Sequence, residues 1–82
     1  MRKGDLVCLK GNPRVLYHVV KSEYTVRFME QQDYEMQVHG LGHLAGVYAS
    51  AIDVVALSGP RAGLLLKKQR MSYFTRLQSE AR

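Results

Sequence analysis

Tryptophan is absent from the 82-residue chain, proline occurs twice, and the one cysteine is Cys8. A lone cysteine excludes an internal disulfide, so folding does not depend on an oxidising compartment and the cytoplasm is the expected location. Long apolar runs are also missing. Arg2 and Lys3 precede only the short run Leu6–Leu9 before Lys10 interrupts it, which excludes a signal-peptide core. No stretch approaches the roughly 20 apolar residues that a membrane span requires. A further gap concerns charge: no Lys or Arg occurs between Phe28 and Pro60, a stretch that holds Glu30, Asp33, Glu35 and Asp53.

That gap divides the chain electrically. Residues 1–27 sum to +4, residues 28–60 to −4 and residues 61–82 to +5. A localised field points to partners, whereas a diffuse net charge speaks mainly to solubility. The remaining composition, 46% hydrophobic and 23% charged, is that of a globular domain and argues against disorder. A chain of this length has room for one domain, and burying about 60% of its unfolded surface leaves only a compact core.

Lys3-Gly4-Asp5 reads as a turn entering a strand at Leu6–Leu9, ended by Gly11-Asn12-Pro13. Arg14–Lys21 is a second predicted strand, and Tyr24–Met29 a third in which Tyr24, Val26 and Phe28 alternate with Thr25 and Arg27. Gln31-Gln32-Asp33 is expected to turn into a hairpin partner over Tyr34–His39. Gly40–Gly46 has the glycine content of a loop. Val47-Tyr48 reads as a brief strand, Ala49-Ser50-Ala51 as a tight helical turn, and Ile52–Leu57 as the last strand.

Beyond Ser58-Gly59-Pro60 the period changes. Leu66, Tyr73 and Leu77, extended by Leu64, Met71 and Phe74, fall on one half of a helical wheel, opposite Lys68, Gln69, Ser72, Thr75 and Arg76. Lys67 and Arg70 interrupt the apolar half. The prediction is a mainly β fold, a small five-stranded antiparallel barrel over residues 1–57, followed over 61–82 by a basic amphipathic helix packed on the barrel or on a partner. An open sheet backed by the helix is the competing architecture.

Three segments carry a family resemblance. Lys3-Gly4-Asp5-Leu6-Val7 resembles the opening strand of SH3-like barrels of the KOW and Tudor kind, and Tyr24-Thr25-Val26-Arg27-Phe28 resembles their third strand. Ser50-Ala51-Ile52-Asp53-Val54-Val55 is similar to the single turn that leads into their last strand. The resemblance covers roughly residues 3–57 and implies a binding fold, with ligands ranging from nucleic acid to peptides and other proteins.

The candidate chemistry is sparse. His39 and His43 have H-x3-H spacing and, with His18 and Cys8, supply the nitrogen and sulfur that zinc prefers. Gly40 and Gly42 argue against the helix that would align the pair, so no metal site and no cofactor are expected. Cys8 reads as a small buried residue, and Glu30, Asp33 and Glu35 as solvation of a turn. No nucleophile has a local base. The plasmid-borne type II dihydrofolate reductases, which have a related small barrel, place a Val-Gln-x-Tyr strand at the active site. Val47-Tyr48-Ala49-Ser50 lacks that Gln and Tyr, so the chain is not expected to be an enzyme. Among the aromatics, Tyr17, Tyr34 and Tyr48 are the expected surface residues, while Tyr24 and Phe28 share a face with Val26 as a core requires.

The basic ends remain. The first expectation is a non-enzymatic protein that binds nucleic acid or a nucleoprotein complex, with Lys67, Lys68, Arg70 and Arg76 on phosphates, assisted by Lys10 and Arg14. The alternative is a protein-interaction module, an inhibitor or adaptor of the kind that mobile genetic elements encode. It would present Leu66, Tyr73, Phe74 and Leu77 to a protein partner or to a second copy.

Overall fold

The structure, a computed structural model, describes residues 1–40 and 46–78. Five strands form one antiparallel sheet: β1 (Leu6–Leu9), β2 (Asn12–Phe28), β3 (Val47–Ala56), β4 (Leu65–Arg70) and β5 (Phe74–Gln78), in the order β4-β3-β2-β1-β5. One short helix, α1 (Gln31–Val38), lies between β2 and β3, and a 3-10 turn (Met71–Tyr73) joins β4 to β5.

The largest correction concerns residues 61–82, where the predicted helix is replaced by β4, the 3-10 turn and β5. The helical spacing of Leu66, Tyr73 and Leu77 was real, but Lys67 and Arg70 broke its apolar face. A stronger tertiary demand decides the conformation, because β1 has a free edge. β5 fills it through the pairs Leu9↔Phe74, Cys8↔Thr75, Val7↔Arg76 and Leu6↔Gln78. Long-range pairing of this kind overrides a local propensity worth tenths of a kcal/mol per residue.

The predicted strand Tyr34–His39 is helical instead. Glu30 precedes the first turn, and its backbone N–H donates to Asp33 Oδ2 at 2.8 Å, satisfying a group that the helix start leaves open. Gln, Glu and Met supply good helix formers over Gln31–Gln37. Asp33 is buried there, and hydrogen bonds from the Glu30 and Gly46 backbone, with the nearby Arg27 charge, hold its carboxyl below the usual range against the opposing effect of burial. Gly46 (φ +86°) returns the chain to β3. A Cβ at this position would meet Arg27 Cγ at 2.7 Å and the Phe28 carbonyl at 3.0 Å, so only glycine fits without a shift.

Segments predicted as separate strands are continuous. Arg14–Lys21 and Tyr24–Met29 merge into β2, and the turn expected at Ala49-Ser50-Ala51 is extended backbone within β3. The β2–β3 register shifts twice, between Val19 and Lys21 and between Lys21 and Tyr24. Each shift inserts one residue on β2, so the odd positions keep the same face after both.

Tyr17, Val19, Ile52, Val54 and Ala56 share that face and meet Val7 and Phe74 in the core, with Leu9, Val15, Leu66 and Met71 packed against them. Tyr17 and Phe74 stack edge to face, with centroids 5.5 Å apart. The N-terminal turn is pinned to the same sheet, with the Gly4 N–H donating to the Val19 carbonyl and the Val19 N–H to the Asp5 carbonyl. Among the described residues no helix is long and apolar enough to cross a membrane.

Candidate nucleic-acid interface

The 3-10 turn organises the basic residues. β4 and β5 are consecutive in sequence yet occupy opposite edges of the sheet, so Met71–Tyr73 must bridge its ends. The β1–β2 turn is tied to this bridge, with the Lys10 N–H donating to the Tyr73 carbonyl at 2.9 Å. Arg70 approaches the same turn, its guanidinium carbon lying 5.7 Å from the Tyr73 ring and 4.6 Å from that of Phe28. Lys67 and Lys68 are exposed farther back along β4. Arg14 and Arg76 are exposed on β2 and β5, the strands that flank β1.

A bulge displays the lysine pair. The β3–β4 register shifts between Ile52 and Val54, opposite Lys67 and Lys68. Neighbouring side chains of a regular strand point to opposite faces, but here both lysines are exposed. Lys68 sits at φ +55°, a left-handed conformation that costs a side chain about 1–2 kcal/mol. Its N–H donates to Asp53 Oδ1 at 2.9 Å and to the Tyr24 hydroxyl oxygen at 3.1 Å, and the Tyr24 hydroxyl donates to the same carboxylate oxygen.

Asp53 and Tyr24 form the polar pin of this bulge. Burial pushes the Asp53 carboxyl up, but the Tyr24 and Lys68 hydrogen bonds and the charges of Lys21 and Lys67 together hold it below the ordinary 3.8. Burial, reinforced by the hydrogen bond to Asp53, pushes the Tyr24 phenol above 10.0. At neutral pH the carboxylate is therefore ionised and the phenol protonated. A depressed aspartate contributes stability that is fully present above its unfolded pKa and is lost as pH falls through the folded one. The raised phenol contributes below its unfolded pKa and loses its contribution as pH rises through the folded value. Thermal midpoints are thus expected to drop once pH falls below about 4. Asp53→Asn should lower the neutral-pH midpoint and flatten the acid limb, with Asp33 retaining part of it. A scan of melting temperature from about pH 7 to about pH 3 reads both effects.

Several aromatic and apolar expectations change. Tyr34 and Tyr48 are exposed, but Tyr17 is buried in the core. Tyr24 and Phe28 occupy the face opposite the core and are half-buried under cations, with Lys21 Nζ 4.6 Å from the Tyr24 ring and Arg70 over Phe28. Of the residues assigned to a partner, Phe74 is core and Leu66 packs against it, which leaves Tyr73 and Leu77 exposed. Nothing in the sequence flagged Asp53 and Tyr24 as a pair, because 29 positions separate them.

Among the described residues, two clefts bear on the site. The first, about 360 Å³, lies between the β1–β2 turn and the 3-10 turn and is lined by Leu9, Lys10, Gly11, Asn12, Ser72 and Tyr73. The second, about 480 Å³, lies along α1 at Gln32, Glu35, Met36 and His39. Cys8 is buried in β1, His18 lies on β2, His39 follows α1, and His43 falls outside the described residues. Among the described residues no group of His, Cys, Asp and Glu is placed to hold a metal ion. Comparisons of the chain with protein-family models, with curated proteins and with solved structures found no match.

Proposed function

We propose that this chain is a non-enzymatic binding protein of the cytoplasm that holds nucleic acid, alone or within a nucleoprotein complex, by its phosphates. The observation that carries this reading is the bulge that exposes Lys67 and Lys68 together, continued by Arg70 and by Lys10 at the 3-10 turn. Arg14 and Arg76 extend the positive surface. The exposed carboxylates Glu30 and Glu35 belong to α1 and its approach, on the separate connection between β2 and β3. Binding by such a surface is mainly electrostatic and falls steeply with salt. A mobility or filter assay at low salt tests it, and a protein that shifts neither DNA nor RNA there would refute it. The likeness to SH3-like barrels is part of this proposal. The turn that this likeness assigns to Ser50–Val55 is extended backbone within β3, and a single 3-10 turn, Met71–Tyr73, precedes β5.

A second reading has its own observation. Leu57, Leu64 and Leu65 are each about half exposed and flank the β3–β4 connection, where the Ala56 N–H donates to the Leu64 carbonyl. Exposed apolar groups flanking one connection favour a protein contact or a second copy of the chain. Light scattering at moderate and high salt is expected to show an oligomer that persists at high salt and dissociates in Leu64→Asp. A monomer under both conditions would count against this use of the surface.

A further inference from the structure

The cleft between the β1–β2 turn and the 3-10 turn has features that phosphate binding does not require. Its walls are almost entirely apolar, with Leu9, Gly11 and Tyr73 among the lining residues, and Tyr73 is 57% exposed. Asn12 and Ser72 also line the cleft but show it almost no polar surface. Lys10 lines the cleft, and Arg70 stands on the Tyr73 ring. Gly11 is not held at a positive φ, and a Cβ added there would meet nothing within 4 Å. The fold therefore does not demand glycine at this position, and a side chain placed there would stand at the cleft that Gly11 lines.

We propose that this cleft takes an unpaired nucleobase stacked on Tyr73, which makes the ligand a single strand rather than a duplex. This deepens the phosphate-binding reading and rests on it. A flat apolar slot beside cations matches the two halves of a nucleotide, an aromatic face and an anionic backbone. A duplex keeps its bases stacked inside and offers this surface only phosphates, so the Tyr73 ring would gain nothing from it. Stacking on an exposed ring tolerates any base, and the lining carries few groups able to tell bases apart.

The test compares fluorescence anisotropy of labelled DNA and RNA single strands of about 12 nucleotides, a strand of equal phosphate number without bases, and a duplex. The expected result is tighter binding of the two base-bearing strands than of the other probes. Tyr73→Ala is expected to weaken binding of those strands about tenfold, within the range that loss of one stacked base produces. Gly11→Val, which fills the slot without altering charge, should do the same. Both variants should lower the affinity for the duplex and the baseless strand far less than for the base-bearing strands. Equal affinity for all probes, or losses that are the same on every probe, would overturn base capture while leaving phosphate binding intact. Failure of every probe to bind would overturn both readings. Circular dichroism of Gly11→Val, expected to match the parent, keeps a folding defect from passing for loss of the site.

Discussion

Phe74→Ala is expected to cost about 3–5 kcal/mol of stability, the range for truncating a buried Phe. The side chain is 4% exposed, packs edge to face on Tyr17, and stands opposite Leu9 in the β1–β5 ladder. Total stabilities of small domains run to about 0.05–0.15 kcal/mol per residue, so a loss of this size removes much of what a chain this short possesses. Urea unfolding followed by far-ultraviolet circular dichroism should show the midpoint moving down by roughly 1–5 M, given a slope of about 1–3 kcal/mol/M. Tyr73→Ala, one residue earlier, removes a ring that is 57% exposed and should change stability by less than about 1 kcal/mol. On an amphipathic helix the two rings would fall on the same half of the wheel and the variants would behave alike. A small effect of Phe74→Ala would therefore contradict β5 itself.

Replacing Lys67, Lys68 and Arg70 together with alanine should cause the largest change in binding. Each phosphate contact contributes about 0.7–0.9 to the slope of log affinity against log salt, so losing three contacts should flatten that slope by about two to three. Near physiological salt this corresponds to affinity lower by roughly one to two orders of magnitude, about equally for every sequence tested. Lys67 and Lys68 are exposed and Arg70 is half-buried, so the double Lys67/Lys68 variant serves as the control that leaves the Arg70 ring contacts in place. Titrations at several salt concentrations separate the outcomes. An unchanged slope would remove these residues from the interface, whereas a changed slope with equal loss on all sequences is the expected pattern.

The β character of the chain was legible, and so was its first strand, because Leu6–Leu9 is apolar, short and bounded by turn residues. The tail was misread for a physical reason. Leu66 and Phe74 both reach the core, but from strands on opposite edges of the sheet, and their spacing coincides with a helical period. No local pattern encodes an edge that another segment must fill. The α1 error is of the opposite kind, since Glu30 and Asp33 carried a helix-start signal that the alternation of Tyr34, Met36 and Val38 obscured.

The phosphate candidates were visible as composition, because lysines and arginines show in any sequence. Their placement on the fold was not. It depends on the Asp53–Tyr24–Lys68 contacts and on the Lys10–Tyr73 hydrogen bond, which join segments remote in the chain.

The pairing of β1 with β5 also sets the order in which this protein can be completed during synthesis. β5 follows β1 only after β2, β3 and β4, so one side of the first hairpin stays unsealed until residues 74–78 have been made. Until then Tyr17 lacks its ring partner, and the nascent chain exposes an open strand edge beside incomplete apolar packing. Pairing with β5 is thus the step that closes the core, and a chain cut before Phe74 would keep a strand edge able to accept a foreign strand.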